Sequence, residues 1–284
     1  MTDRGAAGER RPRVVRRCLL LLTGTVVVLG AGAVDDPAIA QSAERGPRVM
    51  LVGEELVYNV RYGFIDLGQV RIKVTGTVAT DAFAAYESRA YIDSYSNVPF
   101  VNLHAIYESL VDTGMFARRF VGKVKDRAHW DVSRYVFEYD NHRVLIEVAD
   151  LDTVVRRRDT LAIATRYHDG LSLFFYARQH LLSGEKINIP TLIKEEKVNT
   201  FIDFTGERAA VEVDAVDYPV DAVGFGGHAD FVGIFGLTGG FQGWFSNDDA
   251  RVPIMAKMKV IIGSVTIELM QWTRAGWTPP RAKG

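Results

Sequence analysis

Cysteine is almost missing from this chain: Cys18 is the single one in 284 residues. It lies in an N-terminal segment that reads as a leader, so the rest can form no disulfide, present no thiol nucleophile and build no cysteine metal site. A large excess of either charge is also missing, with 34 Lys and Arg against 35 Asp and Glu. There is no basic stripe interleaved with aromatics, which argues against nucleic acid as a partner. No apolar run after the leader is long enough to span a bilayer as a helix. His104, His129, His142, His168, His180 and His228 form no H-E-x-x-H or H-x-x-x-H pair, so no zinc-protease pattern is present. Ser172 follows Gly170-Leu171 but lacks the second glycine of a nucleophile elbow, and reads as a helix-start residue. No cofactor motif is present, and no lysine sits in a phosphate-loop frame.

What is present begins with an export signal. Arg4, Arg10, Arg11, Arg13, Arg16 and Arg17 precede the apolar run Cys18–Val34, and Ala38-Ile39-Ala40 follows. A charged start, a short apolar run and small residues at Ala38 and Ala40 predict a secretory leader over 1–40, cleaved before Gln41. Arg16-Arg17 also fits a twin-arginine start, though the general route suits the rest of the segment better. Cys18 stands at the start of the apolar run, not at its end, which is the wrong place for a lipid-modified cysteine. Cleavage removes six arginines and four acidic residues and moves the formal charge from −1 to −3. The expected product has a short linker at 41–48, one β-rich domain at 49–272 and a tail at 273–284. It works in the periplasm or cell envelope and has no transmembrane helix.

Period-two patterning dominates that domain. Leu56, Tyr58, Val60 and Tyr62 lie on one face; 63–68 reads as a connection; Val70, Ile72 and Val74 follow on one face. Further candidate strands are 86–92, 115–124, 135–139, 144–148, 198–204, 209–216, 252–260 and 265–270. Pro253 cannot donate to a ladder and belongs at an edge or a strand start. One segment, Asp169–Gly184, has helical spacing instead, with Leu171, Phe174, Phe175, Arg178 and Leu182 on one face. Asp169 suits its N-cap and Gly184 a left-handed stop. Many meandering strands with one inserted helix (about 169–183) predict a mainly β fold, a curved antiparallel sheet that closes or nearly closes into a barrel. A barrel of that size either fills with side chains or holds a small apolar ligand.

Three stretches together resemble a known family: Gly53-Glu54-Glu55-Leu56-Val57-Tyr58-Asn59-Val60-Arg61-Tyr62-Gly63, the helix Asp169–Gly184, and Ser246-Asn247-Asp248-Asp249-Ala250-Arg251-Val252-Pro253. Their order and spacing are similar to the bacterial exported family catalogued as Domain of Unknown Function 3108, from about Val49 to about Trp272. The resemblance implies an exported, β-rich protein and carries no catalytic residue. The family's aromatic pair in the helix appears here as Phe175-Tyr176. Ala250 stands where a second basic residue before Arg251 is usual, which weakens any anion site built on paired arginines.

The strangest composition is Gly224–Phe245, where eight glycines alternate with Phe225, Phe231, Phe235, Phe241, Trp244 and Phe245. Glycine permits close backbone approach and aromatics supply apolar contact. The segment reads as a flap or lipid-facing loop, or as a tightly turned plug for the end of the sheet. Phe225, Phe231, Phe235, Phe241 and Trp244, with Tyr58 and Tyr62 of the first strand, are the candidate ligand-binding residues. The expected function is non-catalytic binding or envelope assembly with an apolar or amphiphilic, lipid-like ligand. Glu54, Glu55, Asp66, Asp248 and Asp249 are the more suggestive carboxylates, and the rival is an enzyme acting on envelope glycans or lipids with two such as Glu54, Asp66 or Asp249 as acid and base across one cleft. Asp248 and Asp249 are also explained by a turn. A purely structural part in an envelope complex is the third reading.

Overall fold

A computed structural model describes residues 48–98, 102–126, 129–150, 154–230, 239–260 and 263–283. The expected leader, the cleavage site expected at Ala38, Ala40 and Gln41, and Phe231 and Phe235 lie outside the described residues. The strands are β1 (Glu55–Tyr62), β2 (Ile65–Ala79), β3 (Ala84–Ser94), β4 (His104–Asp112), β5 (Ala117–Asp126), β6 (His129–Glu138), β7 (Arg143–Asp150) and β8 (Val154–Ala162). The helix α1 (Gly170–His180) follows. Then come β9 (Lys186–Ile193), β10 (Glu196–Asp203), β11 (Arg208–Val211), β12 (Val220–Ala229), β13 (Gly239–Ser246), β14 (Pro253–Lys259) and β15 (Ser264–Thr273).

All fifteen strands belong to one antiparallel sheet, ordered β8-β7-β6-β5-β4-β3-β2-β1-β15-β14-β13-β12-β10-β9, with β11 beside β12. Most neighbours in the sheet are successive strands, and β1 pairs with β15 across the length of the domain, Tyr58 opposite Leu269. Among the described residues no ladder joins β8 to β9, so the sheet does not close. Its two ends meet through side chains instead. Glu195, in the β9–β10 turn, accepts from Ser133 (2.7 Å) and Tyr135 (3.0 Å) of β6. Lys197 donates to the Ala162 carbonyl at the end of β8.

Helix α1 forms where the period-two pattern breaks. Asp169 caps it, accepting from the backbone N–H groups of Leu171 and Ser172, and the Ser172 hydroxyl accepts the Asp169 N–H in return. That reciprocal box satisfies donors the first turn leaves free. Gly184 takes the left-handed conformation, φ 69°, just past the end. Leu171 and Phe175 pack with Leu56, Tyr58, Ile72 and Leu269. Ala177 and Leu181 pack with Ile202, Phe204, Val223 and Phe245. The helix thus packs on the sheet's inner face, nearest to β3, β4 and β9.

Several expectations need correction. The β1–β2 connection is only Gly63-Phe64, because Ile65 already pairs with Tyr62. The 209–216 strand stops at Val211, and the 135–139 strand begins earlier and stops at Glu138, before a 3-10 turn. Strands β4, β8, β9, β12 and β13 were not expected. Strand β8 is exposed on both faces, so no alternation marks it. Pro190 interrupts β9, tolerated because β9 is a sheet edge. The glycine–aromatic stretch is not a loop at its ends: Gly224–Ala229 and Gly239–Phe245 are paired strands.

Candidate functional site

Residues directly opposite in an antiparallel ladder share a face. Tyr58, Val60 and Tyr62 of β1 face Leu269, Ile267 and Val265 of β15. Ile267 and Val265 face Ala256 and Met258 of β14. Met258 faces Phe241 of β13, and Phe241 faces Gly227, two residues beyond Phe225 on β12. Five neighbouring strands therefore present one apolar face, and its lower part is the seat of α1. Above the helix, Phe225, Phe241, Met258 and Ile267 are only half-buried, and Tyr62 is exposed.

Glycine makes this face flat enough for rings. A Cβ on Gly243 would lie 2.4 Å from the Phe225 ring, and one on Gly227 would lie 2.5 Å from the Phe241 ring. Each ring lies over a glycine of the partner strand, which restores apolar cover where a side chain is missing.

The structure therefore brings four of the sequence candidates, Tyr58, Tyr62, Phe225 and Phe241, to one face. Tyr58 is at its buried base beside α1 and Tyr62 is at its rim. Trp244 is on the other face, next to Gly224, with the Lys257 ammonium 5.9 Å from its ring centre. Met258, Val265 and Ile267 complete the face and were not singled out from sequence. Their alternation was legible, but the register that sets them beside the aromatics was not.

Below the face, the three family-like stretches converge. Arg178 of α1 is fully buried and donates to both oxygens of Glu54, at 2.7 and 3.1 Å. It also donates to the carbonyls of Ala250 (2.9 Å) and Arg251 (3.1 Å). Arg274, after β15, binds the same carboxylate and the Arg48 carbonyl. Asp248 accepts from Ser246 (2.8 Å), from the N–H groups of Ala250 and Arg251, and from the Trp277 indole (2.8 Å). The Asp248 turn shapes the chain so that two of its carbonyls meet Arg178. This cluster fixes α1 against the sheet. Burial pushes the Arg274 guanidinium down from its ordinary range, and the Glu54 charge acts against that shift. The buried Tyr58 hydroxyl is raised well above its usual range by burial, the nearby Glu54 charge adding to this.

Of the candidate carboxylates, Glu54 and Asp66 lie at opposite ends of β1. Glu54 precedes β1 and is enclosed by two guanidiniums, while Asp66 pairs with Arg61 at the far end of that strand. Hydrogen bonds from Asn59 and Arg61 hold the Asp66 carboxyl below its usual range. Between β3 and β4 lies a cavity of about 150 Å³, but Glu87, Arg89, Glu108 and Arg119 line it, chemistry unsuited to an apolar ligand. Among the described residues no helix is long and apolar enough to cross a membrane.

Comparison with solved structures finds a beta-barrel-like protein, a Domain of Unknown Function DUF1849 protein from Brucella abortus. It is 14% identical with a TM-score of 0.51, covering 79% of this chain and 98% of that one. This likeness is one of fold alone. No curated protein matches the chain. A family described as "Protein of unknown function (DUF3108)" matches residues 57–270, the stretch that runs from β1 to β15 and holds the whole apolar face. The chain belongs to that family.

Proposed function

We propose that this protein is an exported, non-catalytic binding or assembly protein of the bacterial envelope, and that it holds an apolar or amphiphilic, lipid-like molecule on the inner face above α1. The observation that carries the reading is the half-buried apolar surface built by Phe225, Phe241, Met258 and Ile267. Covering such side chains releases roughly 25 cal/mol per Å² of apolar area. A single acyl chain laid over them gains several such contributions, since each buried methylene is worth about 0.8 kcal/mol. The arginine-rich segment 1–40, read as a leader, supports a location where such molecules abound.

The test is mass spectrometry of organic extracts from protein purified out of its native envelope. A lipid is expected at near one per chain, and a Met258→Lys variant, which sets a charge among the rings, is expected to lose it while keeping the unfolding midpoint of the lipid-stripped protein. An extract from the unaltered protein that holds no lipid sinks the reading.

A further inference from the structure

The side of the sheet away from α1 carries a cavity of its own. Ser109 of β4 points to the inner face, where its hydroxyl donates to the helix-capping Asp169 at 2.6 Å. Side chains alternate along a strand, so Glu108 and Leu110 point to the outer face. Glu87 of β3 and Arg119 of β5 lie directly opposite Leu110 and share that face. Together with Thr75, Arg89 and Glu108 they line the cavity of about 150 Å³.

Two β-bulges flank this cavity. Thr75 of β2 has no partner on β3, because Val74 faces Ser88 and Gly76 faces Glu87. Arg118 of β5 has none on β4, because Leu110 faces Arg119 and Val111 faces Ala117. A bulge bends its strand and re-aims the side chains beside it. Gly76 adds to the opening, since a Cβ there would lie 3.2 Å from Glu87 Oε2. The charges around the cavity sort into paired and unpaired. Arg89 binds Glu108 at 2.9 Å, Lys73 on β2 binds Glu55 at 2.8 Å, and Arg134 on β6 binds Glu147 at 3.0 Å. Among the described residues, the Glu87 and Arg119 side chains have neither an ion pair nor a hydrogen bond. One carboxylate and one guanidinium thus stand free on either side of Leu110. Two strand spacings separate their Cα atoms, roughly 10 Å.

We propose that this cavity binds a small zwitterion in which a primary ammonium and a phosphate are joined by a short bridge: the phosphoethanolamine group, free or as a lipid headgroup. Glu87 accepts from the ammonium, which carries three donors and no acceptor. Arg119 presents the phosphate with a planar fork of N–H donors. The buried Leu110 side chain lies between them, under the bridge. A lone anion would leave Glu87 unpaired and a lone cation would leave Arg119 unpaired, whereas a zwitterion satisfies both and brings no net charge. A two-carbon bridge suits side chains held two strands apart better than the single carbon between the charges of an α-amino acid. The site is on the face opposite the apolar surface, so it goes beyond the amphiphile reading and does not rest on it.

Protein purified from its native envelope is titrated with O-phosphoethanolamine in low salt, where exposed charges are least screened, and the phosphorus NMR shift of the ligand is followed. Saturable binding is expected. Glu87→Gln and Arg119→Gln are each expected to weaken it about tenfold or more, the worth of one hydrogen bond to a charged group. Phosphate alone is expected to bind the unaltered protein as weakly as O-phosphoethanolamine binds Glu87→Gln. Thermal unfolding of both variants at the unaltered midpoint shows that the fold is kept. Arg208→Gln on β11 is expected to bind like the unaltered protein. So is Met258→Lys, which empties the inner face and so separates this site from the ligand reading. Flotation with vesicles that contain phosphatidylethanolamine, and not with phosphatidylcholine alone, assigns the lipid headgroup as the source; binding of the soluble compound without flotation assigns the free one. Three results would overturn the proposal: no saturable binding of O-phosphoethanolamine, phosphate alone binding as tightly, or either variant binding unchanged.

Discussion

Glu54 pairs with two guanidiniums at once. Its side chain is 2% exposed, and those of Arg178 and Arg274 are 0% and 5% exposed. Removing one member of a buried ion cluster leaves the others charged and unpaired, which costs about 3–5 kcal/mol. Glu54→Ala is therefore expected to lower unfolding free energy by roughly that amount in urea titration, and Arg281→Ala, a tail residue stacked on Tyr218, by far less. A second residue-scale effect lies at the start of α1. Burial raises the Asp169 carboxyl to about 6 and lowers the neighbouring His168 imidazole to about 3. Between pH 4 and 6 folded Asp169 keeps a proton that the unfolded chain has lost, so its contribution to stability falls as pH rises. Over the same range unfolded His168 binds a proton that the folded protein refuses, so its contribution rises with pH. The two slopes offset. Asp169→Asn removes the first and exposes the second: stability should then drop by about 1.4 kcal/mol for each pH unit lowered from 6 to 4. Urea midpoints of the two proteins across this window check it; parallel curves would contradict it.

At the scale of elements, glycine decides how β12 and β13 are built. A Cβ on Gly227 would lie 2.1 Å from the Phe201 carbonyl of β10, a backbone atom that cannot turn aside. The atoms nearest a Cβ on Gly243 belong to the Phe225 ring, a side chain that can shift. Gly227→Ala should thus destabilise by about 1–3 kcal/mol and exceed Gly243→Ala, as judged by thermal unfolding. The same glycines hid these strands from a sequence reading. Strands β1, β2, β14 and β15 were legible because one face is buried and the other wet, so apolar residues alternate. In β12 and β13 glycines occupy inner positions that Phe rings cover from across the ladder, so the alternation is shared between two strands and shows in neither. Strand β8 was hidden for the opposite reason, with nearly every residue exposed. Its charges have a role at an open edge. Arg156, Arg157 and Arg158 bind Asp131, Asp159 and Glu147 respectively. Charged edge strands resist pairing with a second chain. Arg156→Val with Arg158→Val is expected to cause concentration-dependent association, read by light scattering, with the monomer's circular dichroism unchanged.

At the scale of the molecule, α1 divides the inner face of the sheet. Below, the helix and the Glu54 cluster make a rigid base; above, the apolar side chains keep part of their surface. The base was partly legible, since Glu54, Arg178 and the 246–253 turn sit in the three stretches that drew attention in sequence. Their meeting was not, because 124 residues separate Glu54 from Arg178 and only the β1–β15 closure brings the ends of the chain together. The division has a thermodynamic consequence. A ligand on the upper face touches β1 and β12–β15 together, so it stabilises the folded sheet over the unfolded chain by RT ln(1 + [L]/Kd), about 2.7 kcal/mol at a hundredfold excess over Kd. Stripping the native protein of lipid with detergent and removing the detergent should lower its thermal midpoint, and adding the extracted lipid back should restore it. Met258→Lys should start at the stripped midpoint and not respond to the lipid. Glu54→Ala should respond by the same increment from a lower start, because the base it weakens lies outside the ligand's contact. If stripping a lipid that mass spectrometry had found leaves the midpoint unmoved, that lipid does not bridge these strands and the upper face is not its site.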